Sequence, residues 1–160
     1  MVSMEEFMKI GFVFYSESGH TLSVLNQLEK VFQKKGHFVE KISLLEGYDI
    51  KKRVLTFFPK VKEFEFILFA SPVQAFSLSI AMSQYLKQVQ LKESQKVGFL
   101  LTQYFKKPFW GGNRAIKQMK NFIQDFHPII LGEGIVHWSS KERDTQISSV
   151  VDKLGSVLDE

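Results

Sequence analysis

Five short apolar runs alternate with helix-patterned segments along this chain, and that alternation constrains its fold more than any other feature. The runs are residues 9–15, 37–44, 64–70, 97–102 and 128–136. The third is almost continuously apolar, as expected of a strand buried on both faces. The second mixes charged with apolar residues, and Gly132 and Gly134 weaken the fifth, so both read as edge strands. Residues 21–35 carry Leu22, Leu25, Leu28 and Phe32 at helical spacing and stop at Gly36, a helix C′ position after two lysines. Ile50, Val54, Phe57, Phe58 and Val61 also fit helical spacing, and Pro59 breaks it, which predicts a short helix ending before Pro59. Further helices are predicted over 78–89, from an Asn113 cap with Ile116, Met119, Ile123 and Phe126 facing inward, and over 141–158 with Ile147, Val150, Val151, Leu154 and Val157 facing inward.

A strand-helix unit repeated five times predicts an α/β, doubly wound fold: a five-stranded parallel sheet with helices on both faces. Right-handed crossovers leave few topologies. In a 2-1-3-4-5 order, the loops 16–21, 71–77 and 103–112 lie side by side, at the edge where such sheets bind ligands. A length of 160 residues fits one domain over 1–160.

The first of these loops has the chemistry of an anion cradle. Ser16, Glu17, Ser18, Gly19, His20 and Thr21 follow a strand and open a helix. Hydroxyls and backbone N–H groups then converge at a helix N-terminus of positive potential. No lysine or arginine lies in the loop, so the donors are neutral. The same residues also fit a plain helix cap, with Ser18 or Thr21 satisfying orphan amides. His20 either donates to an anion or faces solvent, and the Glu17 carboxylate must point outward to avoid repelling one.

Composition narrows the field. There is no cysteine, which removes disulfides, thiolate metal sites and thiol nucleophiles and fits a cytoplasmic setting. No run of 18 apolar residues exists, and the first eight residues carry two Glu with no basic start, so neither a membrane span nor a secretory signal is expected. Met4 and Met8 are alternative starts. The net charge of +4 is spread along the chain and no nucleic-acid motif accompanies it. The dinucleotide, P-loop and nucleophile-elbow glycine patterns are all absent, and His20, His37, His127 and His137 lack metal-site spacing.

At this point the chain resembles the flavodoxin-like family of FMN-binding proteins, nearly end to end. The resemblance rests on Tyr15-Ser16-Glu17-Ser18-Gly19-His20-Thr21, which is similar to the family's phosphate loop. It rests also on Ala70-Ser71-Pro72-Val73, similar to the turn after the third strand, and on Gly111-Gly112 ahead of a helix. It implies a noncovalent FMN whose phosphate sits in 16–21 and whose ring lies between the loops after strands three and four. The implied binding residues are Ser16 through Thr21 as named above, then Ser71, Pro72, Val73, Gln74 and Phe76, and Thr102, Gln103, Tyr104, Phe105, Trp110 and Gly111. Gln74 stands where relatives often carry an aromatic residue, and Phe76 follows two positions later.

The ring needs flat apolar surfaces, and Phe76, Tyr104, Phe105, Phe109 and Trp110 supply candidates; the same aromatics can instead seal the core or meet a second copy. Gln74 and Gln103 suit the ring's polar edge. Lys106, Lys107, Arg114, Lys117 and Lys120 form either a docking surface for anions, NAD(P)H phosphates or an acidic protein, or a solvated face; near a flavin they would raise its potential above that of acidic flavodoxins. Three functions follow from the resemblance. The chain carries electrons between proteins through FMN, oxidises NAD(P)H for a quinone or similar acceptor, or is a flavin-free binding module. The implied partners are a redox protein or NAD(P)H, with no nucleic acid and no membrane.

Overall fold

The computed structural model describes residues 7–104 and 111–159. All five apolar runs are strands: β1 (Lys9–Phe14), β2 (Phe38–Ser43), β5 (Phe66–Gln74), β7 (Lys96–Gln103) and β8 (Ile129–His137). They pair in parallel in the order β2-β1-β5-β7-β8, which is the expected 2-1-3-4-5 arrangement with the second and fifth strands at the edges. Among the described residues three short strands complete the set: β3 (Tyr48–Asp49), β4 (Val54–Leu55) and β6 (Ser77–Leu78).

Among the described residues four α-helices cover the sheet: α1 (His20–Lys34), α2 (Ile80–Gln88), α3 (Gly112–Ile123) and α4 (Arg143–Gly155). Successive strand residues point to opposite faces, so β1 sends Phe12 and Phe14 to one side and Val13 to the other. Phe12, Phe66, Leu68 and Leu100 pack under Val24, Leu25 and Leu28 of α1 and Ile147, Val151 and Leu154 of α4. Val13, Phe69, Phe99 and Leu101 pack under Ala81, Met82 and Tyr85 of α2 and Ala115, Ile116 and Met119 of α3. Each buried Phe or Leu contributes on the order of 2 kcal/mol, and two such layers hold the strand ends in register. Among the described residues no helix is long and apolar enough to cross a membrane.

Three local expectations fail for physical reasons. The predicted helix before Pro59 is absent: a 3-10 turn (Leu44–Gly47) leads into the antiparallel hairpin β3–β4. The Asp49 carboxylate accepts from the Lys52 amide at 2.9 Å, and Arg53, at φ 57, reverses the chain. The Gln84 side chain of α2 then clamps the hairpin, accepting from Leu55 N and donating to Arg53 O, each at 2.7 Å. The apolar spacing there never formed one face, since Ile50, Val54 and Phe57 are 54%, 46% and 37% exposed while Val61 is buried.

Second, 71–77 is not a plain loop. β5 continues to Gln74 and returns through a two-residue turn at Ala75 and Phe76 into β6. Third, Asn113 caps nothing: α3 already begins at Gly112, after Gly111 swings the chain at φ 124.

Candidate functional site

The loop after β1 is anchored before it opens. Tyr15 N donates to Ala70 O of β5 at 3.0 Å, and the Tyr15 ring meets Tyr48 edge-on with centroids 5.2 Å apart. Beyond it, Ser16 Oγ accepts from Gly19 N at 3.2 Å and Ser18 Oγ from His20 N at 3.4 Å. Gly19 sits at φ 88, in the left-handed region that suits glycine. A Cβ placed on it would meet nothing within 4 Å, so the space over the loop is open. α1 starts at the next residue, with Ser23 N donating back to Gly19 O at 2.9 Å.

The electrostatics favour an anion. The first-turn N–H groups of a helix have no intrahelical partners and carry partial positive charge, and no acid lies in the first turn of α1. Glu17 has a partner of its own: its carboxylate accepts from the Tyr15 hydroxyl. Burial and that neighbouring carboxylate push the Tyr15 phenol well above its ordinary range, so it stays a neutral donor. Glu17 shares a cavity of about 610 Å³ with Tyr48, Arg53 and Gln74, on the α2 side of the loop.

Thr21 has a different position from its neighbours. It is fully buried, and its Oγ1 lies 2.9 Å from Oγ1 of Thr102 at the end of β7. The pair fixes the distance between the first and third loops. Ser16, Ser18, Gly19 and His20 are at least partly exposed, while Thr21 and Thr102 are buried.

The second loop divides in the same way. Ser71 is buried and its Oγ lies 2.6 Å from Ser79 Oγ, which accepts from Met82 N at 3.3 Å and caps α2. Pro72 pairs with Thr102 in the sheet. Val73 and Gln74 face Leu78 and Ser77 across the hairpin, leaving Phe76 at the tip, 53% exposed. Gln118 of α3 holds the return strand, its Oε1 accepting from Leu78 N at 2.9 Å. Gly111 lies against the tip: a Cβ there would come within 2.6 Å of Val73 Cγ1 and 2.8 Å of Phe76 Cα.

Gln103, expected in the third loop, is instead the buried last residue of β7, and Tyr104 after it is 69% exposed. Phe105 and Trp110, with Lys106, Lys107 and Phe109, lie outside the described residues. Of the basic cluster on α3, Arg114 and Lys117 are exposed and Lys120 pairs with Glu133 at 2.9 Å.

Sequence reasoning missed Trp138. It follows β8, donates from N to Gln103 O at 2.7 Å, and stacks on His20 with centroids 4.0 Å apart and planes 13° from parallel. Arg143 lies 5.0 Å over the same indole. The available signal was an aromatic residue just past a parallel strand at the loop-bearing end of the sheet.

These residues fit a flavin phosphate at 16–21, by the open glycine, the neutral donors and the partnered carboxylate. Exposed rings at Phe76 and Tyr104, one on each of the other two loops, suit a flat apolar group. Among the described residues no group of three His, Asp or Glu is placed to hold a metal ion.

No protein-family model matches this chain, and no curated protein sequence does. Solved structures do. Oxidised flavodoxin 1 from Bacillus cereus superposes with a TM-score of 0.68 at 13% identity, covering 94% of this chain and 96% of that one. A Fusobacterium nucleatum flavodoxin bound to flavin mononucleotide gives 0.59 at 13% identity, over 95% of each chain. Two-electron reduced Megasphaera elsdenii flavodoxin gives 0.57 at 16% identity, over 93% of this chain and 97% of that one. At such identities the likeness establishes the fold, which is that of the flavodoxins.

Proposed function

We propose that this chain, on its flavodoxin fold, is a cytoplasmic redox protein that transfers electrons through noncovalently bound FMN. The observation that carries the reading is the 16–21 loop: an open glycine turn at the N-terminus of α1, lined by Ser16 and Ser18, with its one carboxylate tied to Tyr15. A solved protein of the same fold holds flavin mononucleotide. Ser16, Ser18, Gly19 and His20 would hold the phosphate. The hairpin tip at Gln74, Ala75 and Phe76, with Tyr104, would flank the ring. FMN supplies the electron-accepting chemistry, and the chain's part is to bind and orient it and to limit water at its inner face.

The test is uptake of FMN by purified protein, followed by quenching of flavin fluorescence. Saturable one-to-one binding is expected, weakened about tenfold by Ser16→Ala through loss of one turn-setting hydrogen bond and donor. A colourless protein that leaves added FMN fluorescent overturns the reading and leaves a flavin-free binding module.

The partner in this reading is an acidic redox protein. Its support is the β3–β4 hairpin, whose exposed tip carries Lys51, Lys52 and Arg53 between Ile50 and Val54, and whose Arg53 lines the same cavity as Gln74. The enzyme reading, oxidation of NAD(P)H for a quinone or similar acceptor, draws on the exposed Arg114 and Lys117 next to Gly111. Rapid bleaching of bound flavin by NADH or NADPH would select it; indifference to both selects the carrier.

A further inference from the structure

A phosphate monoester carries about −1.5 to −2 charge at neutral pH, yet the 16–21 loop contains no lysine or arginine. The loop's single side chain able to become cationic is His20, the first residue of α1. Its ring is held in place. It stacks on the Trp138 indole at 4.0 Å and 13°. Trp138 is in turn fixed at both backbone ends, with N donating to Gln103 O at 2.7 Å and O accepting from Arg143 Nη1 at 3.0 Å. Its indole packs on the core shared by α1 and α4.

This stack tolerates either charge state of the imidazole. A neutral ring stacks on indole through dispersion and offset quadrupoles. A protonated ring gains attraction to the indole face. The His20 ring therefore stays beside the loop across the pH range in which a histidine titrates. Among the described residues the charged groups around it are few. On the loop, the Glu17 carboxylate is engaged by Tyr15. On α1 the first turn holds no acid. From the α4 side come the Arg143 guanidinium over Trp138, Asp144 at 3.9 Å from Arg143 Nε, and exposed Lys141 and Glu142.

We propose that Trp138 is a positioning residue for anion recognition, holding the His20 imidazole at the mouth of the 16–21 loop so that its protonated form donates to, and balances the charge of, a tetrahedral anion bound there. Anion affinity then rises as the pH falls through the range in which a histidine takes up a proton. Within that range, binding draws protons from solvent onto the imidazole. The inference rests on the reading of 16–21 as a phosphate loop and adds to it a charged donor and the residue that aims it.

Inorganic sulfate is the probe, because its charge does not change between pH 5 and 8 and only protein groups titrate. Binding is followed by NMR on the loop amides of the full chain at constant ionic strength. Sulfate is expected to bind about tenfold more tightly at pH 5.5 than at pH 8, the change one added unit charge makes at short range. His20→Gln should make the affinity independent of pH. Trp138→Ala should reduce the change to twofold or less, and Trp138→Phe, which keeps a flat ring, should restore most of it. Should Trp138→Ala fail to fold, the His20→Gln and Trp138→Phe pair still decides.

No saturable sulfate binding, a flat profile in the native chain, or a profile that survives His20→Gln overturns the proposal. A profile unchanged in Trp138→Ala overturns the positioning role. FMN uptake with a flat sulfate profile sinks this inference alone; a tenfold sulfate response in a chain that refuses FMN sinks the flavin reading alone.

Discussion

Two turns at the same end of the sheet solve one backbone problem with opposite residues. After β1 the chain enters the left-handed region at Gly19, φ 88, where a side chain would meet only open space. After β5 it does so twice, at Ala75 and Phe76, φ 48 and 64, with residues that carry a Cβ. Glycine adopts such angles freely, whereas each Cβ-bearing residue there costs about 1–2 kcal/mol. The first turn is therefore set by its own sequence. The second is imposed by its surroundings: the hairpin pairing, the Gln118 side chain and the backbone of Gly111. A turn held in this way relaxes when its supports are altered, and it borders the face where a flavin ring would lie.

The largest expected effect separates the two turns directly. Gly111→Ala forces a Cβ into Val73 and the Phe76 backbone at φ 124, and should lower unfolding free energy by about 3 kcal/mol or more. Gly19→Ala meets strain alone and should lower it by about 1 kcal/mol. Urea titrations of both variants measure the gap; equal losses would break the contrast. A smaller effect of opposite sign comes from Ala75→Gly, which removes a left-handed alanine and should stabilise by about 0.5–1 kcal/mol. A destabilised variant would mean that the Ala75 methyl holds the turn rather than strains it.

The smallest effect serves as a control at the other end of β1. His37 Nδ1 accepts from Met8 N at 3.0 Å, and burial lowers its pKa below the ordinary 6.5. Below that value the unfolded chain binds the proton more readily than the folded one. The stabilising contribution is therefore full above pH 6.5 and is lost as the pH falls through the depressed folded value. The urea midpoint should fall between pH 7.5 and 5, less so in His37→Gln, while amide exchange in both turns keeps its rank order.

The same contrast explains what could be read before the structure. The alternation of apolar runs with helical stripes is a pattern of local periods, and it yields the strands and the position of 16–21. Gly19 announces its own turn. Ala75 and Phe76 do not, since nothing in their preferences favours positive φ, and the supports that impose it come from residues 111 and 118. The β3–β4 hairpin was hidden likewise, because Gln84 clamps it from a distant helix while Ile50, Val54 and Phe57 imitate a stripe. At the candidate site, Ser16 and Ser18 lie between β1 and α1 and His20 opens α1, positions that local order alone gives. Thr21 shares the motif but faces the core, a direction set by Thr102 some eighty residues away. Trp138 enters only because β8 ends beside α1.

The Thr21–Thr102 contact has one more consequence. Either hydroxyl of this buried pair can be the donor. Its dipole can thus reverse by rotation of two hydrogens, with no heavy atom displaced. A charge arriving at or leaving the loop would meet a core that answers by reorienting rather than by moving, a small reservoir of polarisability built into an otherwise rigid joint.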